Sequence, residues 1–291
     1  MQTNIVSAQW LLAQDSTAIT ILDASYFLPT MGRDGRTEFD VEHIVGAQFF
    51  DIDNIKNEED PLPHMMPDAA IFEKAMRDIG VDNDKQIVVY DNSPFLSSAR
   101  AWWMLRYFGH LAVCVLDGGM TAWKEAGGQT EAGNPKTDHG NFQAGMPKQA
   151  GLILFDALRA DVESGEADQI IDARAADRFN GAVPEPRAGL RAGHIPGSLN
   201  LPINSLLDSQ TGKLKPAETL QKLFDDAGFD MGKPCVTTCG SGVTAAGLTL
   251  ALAILGKTDI RLFDGSWSQW GASDTPPLKN RHQAGRVRRP H

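Results

Sequence analysis

The sequence predicts an α/β protein built twice: two domains, each a mainly parallel sheet flanked by helices. Three observations carry that expectation. Landmarks recur in the same order along the chain. Asp23-Ala24, which closes the apolar run Ile19 to Leu22, returns as Asp172-Ala173 after Ile170-Ile171. His43-Ile44-Val45-Gly46-Ala47 returns as His194-Ile195-Pro196-Gly197-Ser198, and Leu116-Asp117-Gly118 followed by Trp123 returns as Phe263-Asp264-Gly265 followed by Trp267 and Trp270. Each pair is separated by about 150 residues, and ordered matches at one offset mark an internal repeat. Short apolar runs also alternate with helical patterns: Gln86 to Tyr90 precedes Ser97 to Gly109, and Cys235 to Thr238 precedes Val243 to Gly256. That alternation gives parallel strands joined by helical crossovers. Finally, 291 residues is a two-domain length.

The first copy is expected over residues 1–130 and the second over 151–291. Between them, residues 131–150 hold Gly, Pro, Lys, Asn and Gln with little periodicity, which reads as a linker. The longest apolar run, about Val243 to Leu255, is too short to cross a bilayer and reads as a buried helix. Trp102, Trp103, Trp123, Trp267 and Trp270 are expected in the core and at the domain interface. His43 and His194 occupy equivalent places in the repeat, which implies a shared role in a turn.

Composition narrows the function. With 42% hydrophobic and 22% charged residues, 28 Gly and 16 Pro, disorder, collagen and coiled coil are excluded. A formal charge of -10 supplies no field that would gather nucleic acid or anionic lipid, so an anionic substrate must be captured by a few placed cations. The first positive charge is Arg33, so the N-terminus has neither the basic region of a secretion signal nor the arginines of a transit peptide, and a cytoplasmic location is expected. Three cysteines, Cys114, Cys235 and Cys239, are too few for a disulfide framework and suit a reducing compartment. The tail from Lys279 to His291, with five basic residues, reads as a frayed end.

In parallel sheets ligands gather at the carboxyl ends of strands. In the second copy that turn reads Cys239-Gly240-Ser241-Gly242-Val243-Thr244 and runs into a helix rich in Ala and Leu. Two glycines let successive N–H groups turn inward, and with the helix dipole this nest favours an anion at the Cys239 sulfur. The aligned position of the first copy is Asp91, so one active site per chain is expected. Cys114 and Cys235 lie inside apolar runs and read as core. A zinc site on Cys235 and Cys239 would lack a second pair of close ligands. A cysteine phosphatase would need an Arg six positions after the nucleophile, where this chain has Ala245.

The paired domains, the two His-Ile-x-Gly landmarks, the CGSGVTA loop from Cys239 to Ala245 and Asp264-Gly265-Ser266-Trp267 together resemble the tandem rhodanese-type sulfurtransferases, from about Val6 to Gly271. The resemblance implies a rhodanese-like fold in both halves and a persulfide carried on Cys239. Loops that accept thiosulfate carry Arg and Lys after the Cys, whereas Gly240 and Ser241 stand here. The resemblance therefore implies 3-mercaptopyruvate as donor, with thioredoxin, glutathione or cyanide as acceptor and no metal or organic cofactor. Thiosulfate:cyanide transfer and a persulfide carrier that does not turn over remain the alternatives.

The same resemblance assigns a carboxylate clamp to Arg178 and Arg187, nine positions apart, with the loop residues Gly240, Gly242, Val243 and Thr244 around the substrate. It assigns proton handling to Asp53, His64 and Ser241. By residue type alone, His64 either moves protons or merely closes the turn after Pro61 and Pro63. Arg174, behind Asp172, reads as structural, Arg191 lies close to the clamp, and Arg100 either reaches the cleft or pairs with an acid.

Overall fold

The structure, a computed structural model, describes residues 3–145 and 151–272. The basic tail therefore lies outside the described residues. In the first half the order is β1 (Ile5–Val6), α1 (Ala8–Leu12), β2 (Ile19–Asp23), α2 (Gly35–Val41), β3 (His43–Ile44) and β4 (Gln48–Phe49). It continues through α3 (Ala69–Asp78), β5 (Gln86–Tyr90), α4 (Ser98–Tyr107), β6 (Val113–Leu116), α5 (Gly119–Glu125) and β7 (Thr130–Glu131). The second half begins with β8 (Leu152–Ile153), α6 (Phe155–Ser164), β9 (Gln169–Asp172), α7 (Ala176–Phe179) and β10 (Leu199–Asn200). It ends with α8 (Ala217–Asp226), β11 (Cys235–Thr238), α9 (Val243–Ile254), β12 (Ile260–Phe263) and α10 (Ser266–Trp270).

The two sheets have one topology. The first runs β1-β6-β5-β2-β4, and the second, taken from the same end, runs β8-β12-β11-β9-β10. Every pairing within them is parallel. Their central strands, QIVVY and CVTT, are β-branched and almost wholly buried, as a strand covered by helices on both faces must be. The outer helix α3 is amphipathic and capped. Asp68 accepts from the Ile71 N–H at the start of α3, whose Phe72 and Met76, one turn apart, are fully buried.

Helices α4 and α9 differ from these. Ser98 through Leu105 of α4 are all buried, as are nearly all residues of α9, because the two helices pack on each other at the domain junction. One hydrophobic cluster consequently runs through both halves, joining Leu96 and Trp103 to Ile203, Val243 and Leu248. Each fully buried Leu, Val or Phe there contributes about 1.5–3 kcal/mol. Within the second half Gly247 leaves room for Ile203, whose Cδ1 a Cβ there would strike. All five named tryptophans are buried.

The stretch expected as a linker is held down where it is described. Glu131 pairs with His43 in the antiparallel β3–β7 ribbon. Farther on, Phe142 is fully buried against Phe72, its N–H donates to Val81 O, and Gly145 N–H donates to Phe108 O. The polar composition of this segment conceals a single aromatic anchor that straps it to the first half. No helix among the described residues is long and apolar enough to cross a membrane.

Candidate active site

Cys239 is the first residue beyond β11, and α9 starts four residues later. Gly242 closes the turn at φ +81°, and a Cβ there would meet Arg100 Nη1 at 3.0 Å, so conformation and space both demand glycine. The start of α10 straps the loop from outside. Trp267 N–H donates to Cys239 O (2.9 Å), and Ser268 gives both its N–H (2.8 Å) and its hydroxyl (2.7 Å) to Gly240 O. Ser266 Oγ accepts the Cys239 N–H (3.2 Å) and donates to Phe263 O (2.8 Å). With the carbonyls turned outward, no group among the described residues accepts from the N–H of Gly240, Ser241 or Gly242. These are free donors beside the thiol.

Cys239 is 2% exposed, but it lines a cavity of about 180 Å³ between the halves. Gly240, Ser241, Val243 and Thr244 form one wall, with Arg178 and Arg187 beside them, and Tyr26, Leu28 and Phe95 close the other from the first half. The thiol is thus buried at the floor of a cleft, against the hydrophobic cluster that runs through both halves.

His64 reaches this loop from the first half. Its Nδ1 lies 3.0 Å from Ser241 Oγ and its Nε2 lies 2.9 Å from Asp53 Oδ1. An ionised carboxylate only accepts, so the proton is assigned to Nε2, and Nδ1 then accepts from the Ser241 hydroxyl. Burial holds His64 below its ordinary value, the charges of Arg100 and Arg187 act in the same direction, and Asp53 opposes them. The imidazole is neutral at pH 7.

Arg178 and Arg187 are not equivalent. Arg178, on α7, lies against the loop, since a Cβ on Gly240 would be 3.2 Å from its Nη2. It also donates to Glu185 Oε2 (2.5 Å), while Arg174 takes Glu185 Oε1 (2.8 Å) and both oxygens of Asp172. Glu185 and Asp172 thereby neutralise Arg174 and Arg178. Among the described residues Arg187 forms no ion pair with a carboxylate. It faces Tyr26, whose hydroxyl burial pushes above its ordinary value and Arg187 pulls back.

Glu185 and Tyr26 were not singled out by the sequence. Glu185 sits inside the PEPR segment that supplied Arg187, and only its near-complete burial distinguishes it from a surface acid. Elsewhere, Arg191 donates to the carbonyls of Trp270 and Gly271 at the end of α10. His43 and His194 stack on Phe39 and Phe179 and bond to the carbonyls of those residues, a matched pair of turn anchors. Burial pushes the thiols of Cys114 and Cys235 up to about 12. No cluster of three or more His, Cys, Asp or Glu that could hold a metal occurs among the described residues.

A duplicated parallel sheet with a cysteine-glycine turn at one strand end defines a class, and the chain belongs to the rhodanese-like family: the rhodanese-like domain matches residues 7–126 and again 154–273. The chain is 44% identical over 284 residues to 3-mercaptopyruvate sulfurtransferase of Escherichia coli O157:H7, covering 95% of this chain and 99% of that protein. It is 40% identical over 273 residues to the Homo sapiens 3-mercaptopyruvate sulfurtransferase, covering 91% of each. The crystal structure of SseA from Escherichia coli, described as a 3-mercaptopyruvate sulfotransferase with the rhodanese fold, superposes with a TM-score of 0.82 at 40% identity. That match covers 91% of this chain and 99% of that one.

Proposed function

We propose that this chain transfers the sulfur of 3-mercaptopyruvate through a Cys239 persulfide to a thiol such as thioredoxin or glutathione, or to cyanide, releasing pyruvate. The observation that carries this reading is the convergence of Cys239, Arg178 and Arg187 on one cavity of about 180 Å³, a volume suited to a small keto acid. The names and near full-length coverage of the relatives support it.

The Cys239 thiolate attacks the donor sulfur, an S–S bond forms, and the C–S bond breaks with its electron pair moving onto the pyruvate enolate. Arg187 supplies the net positive charge for the carboxylate, and Arg178, already balanced by Glu185, supplies directed donors to the carbonyl oxygen where enolate charge develops. The donor's thiol proton passes through Ser241 to His64, is stabilised there by Asp53, and returns to carbon as the methyl of pyruvate. The outer sulfur is left as a persulfide anion facing the free N–H groups of the loop. An acceptor thiolate or cyanide then attacks it, making a new bond to sulfur and restoring the Cys239 thiolate. Free cysteines suit the cytoplasm, where we place the protein.

Intact mass spectrometry after mercaptopyruvate treatment tests the reading, together with steady-state pyruvate release and kcat/KM for mercaptopyruvate against thiosulfate. One added sulfur on Cys239, repeated turnover and a preference for mercaptopyruvate are expected. A Cys239→Ser variant that still releases pyruvate, or sulfur lodged elsewhere, overturns it.

A further inference from the structure

We infer that Arg100 and Asp264 form a positioning pair across the domain junction, gripping the backbone around His64 and holding its imidazole over the nucleophile loop. Resting on the reading of His64 as the proton-handling residue, the inference adds what keeps it in place.

Arg100 belongs to α4 of the first half and Asp264 to the turn after β12 of the second, and each is 1% exposed. Arg100 Nη2 lies 2.9 Å from Asp264 Oδ1. Both residues hold the segment that carries His64: Arg100 donates to His64 O (2.5 Å), and Asp264 Oδ2 accepts the Met66 N–H (2.5 Å). The peptide groups on both sides of Met65 are thereby fixed. Such a grip is needed because His64 has φ +60°, a left-handed conformation that a side-chain-bearing residue keeps only when its surroundings impose it. On the opposite side Arg100 Nη1 lies 3.5 Å from Gly242 O. One guanidinium therefore touches both backbones that carry the Ser241–His64 hydrogen bond.

The repeat supplies an internal control. In the first half the equivalent of Asp264 is Asp117, and it too reaches across the junction, accepting the Leu214 N–H (2.8 Å). The counterpart of Arg100, third in its helix, is Ala245, third in α9. Joining the halves thus needs an aspartate on each side. Among the described residues, an arginine at this helix position pairs with the aspartate on the side that carries His64, and Ala245 stands there on the other. Two fully desolvated charges are costly unless paired and hydrogen-bonded, which makes a merely space-filling role a poor account of Arg100. The groups facing His64 are Asp53, Arg100, Arg187 and the ring of Tyr26; burial holds the imidazole below its ordinary value, and the charges of Arg100 and Arg187 act with it.

The test uses the full chain with mercaptopyruvate and two variants that leave no unpaired buried charge: Arg100→Lys, and the neutral pair Arg100→Met with Asp264→Asn. An ammonium cannot span both partners, so kcat is expected to fall about tenfold or more in each while KM changes by less than about threefold. The acid limb of the pH profile moves to higher pH in the neutral pair and stays put in Arg100→Lys. In a His64→Ala background neither change should lower kcat further. Parent-like kcat and pH profile in both variants overturn the inference. An equal loss in the His64→Ala background overturns it too, by showing a general packing effect. A His64→Ala protein with parent kcat would instead locate the failure in the proton-handling reading itself, and this inference would fall with it.

Discussion

Asp91 and Cys239 hold the same place in the two halves. Each follows the central-strand residue paired with the repeated aspartate, Tyr90 opposite Asp23 and Thr238 opposite Asp172. Each carbonyl accepts an N–H from the helix after the following strand, Met120 N–H of α5 at 3.2 Å and Trp267 N–H of α10 at 2.9 Å. Their side chains do opposite things. The Asp91 carboxylate folds back to accept the Ser93 and Ser98 N–H groups, filling its own turn, and burial pushes it above the usual carboxylate range. Around Cys239 the corresponding donors are left open.

Replacing Asp91 with Cys should therefore not create a second centre. Pro94 lacks an N–H, and α4 starts later after the turn than α9 does. After mercaptopyruvate treatment, intact mass should show one sulfur in Asp91→Cys and none in Asp91→Cys with Cys239→Ser. A persulfide on position 91 in the double variant would contradict this.

Thiol chemistry should be confined to one residue. With Cys114 and Cys235 raised to about 12 by burial, both stay protonated and shielded at about pH 8, and iodoacetamide should alkylate Cys239 alone. Peptide mapping checks this, and label on either of the others at a comparable rate counts against it.

The arginines should separate kinetically. Loss of a charge-assisted contact costs about 1.5–3 kcal/mol, so Arg187→Ala should raise the mercaptopyruvate KM about 10- to 100-fold. Arg178→Ala should act more on kcat, because Glu185 already balances its charge and its donors serve the developing oxyanion. Equal effects of both variants on KM would remove the distinction.

The pH profile has a definite sign. Because His64 is held below its ordinary value, kcat/KM should stay flat through neutrality and decline only below about pH 6.5. Asp53 is the group that raises His64, so Asp53→Asn should move this acid limb to lower pH while reducing kcat. A limb that moves upward would show that Asp53 does not act on the imidazole.

Stability should also carry a pH signature. Asp172 has Arg174 against it, but Asp23, its counterpart, has Ser25 there, and burial raises its carboxyl to about 6. The native state favours the protonated form, so the stability this gives is full below about pH 4 and is lost as pH rises through about 6. Asp23→Asn keeps an acceptor for Ser25 N–H and should stabilise the protein at pH 7 by up to about 3 kcal/mol, with no gain at about pH 4. Melting curves at the two pH values decide it.

The duplicated fold and the Cys239 turn were legible because both are local: an ordered set of landmarks and a strand-glycine-helix junction lie within short windows. His64 and Asp53 were reachable only through resemblance, since neither lies on a helix or strand and their meeting with Ser241 spans 177 positions. Glu185 and Tyr26 gave no signal, because an acid between two arginines and a tyrosine over a cavity are products of tertiary approach. Arg100 presented two options in the sequence, and the structure pairs it with Asp264 while leaving it out of the cavity lining. The segment after Glu131 looked free because one phenylalanine among polar neighbours does not reveal where it docks.

Helix α9 has no face for water. A shortened gene encoding only the half with Cys239 would offer solvent a greasy rod carrying the nucleophile at its tip, and the product should clump rather than act as a minimal catalyst. Redundancy introduced by duplication has in this way become dependence: the copy without the nucleophile is now the other wall of the reaction chamber, and neither copy can be discarded.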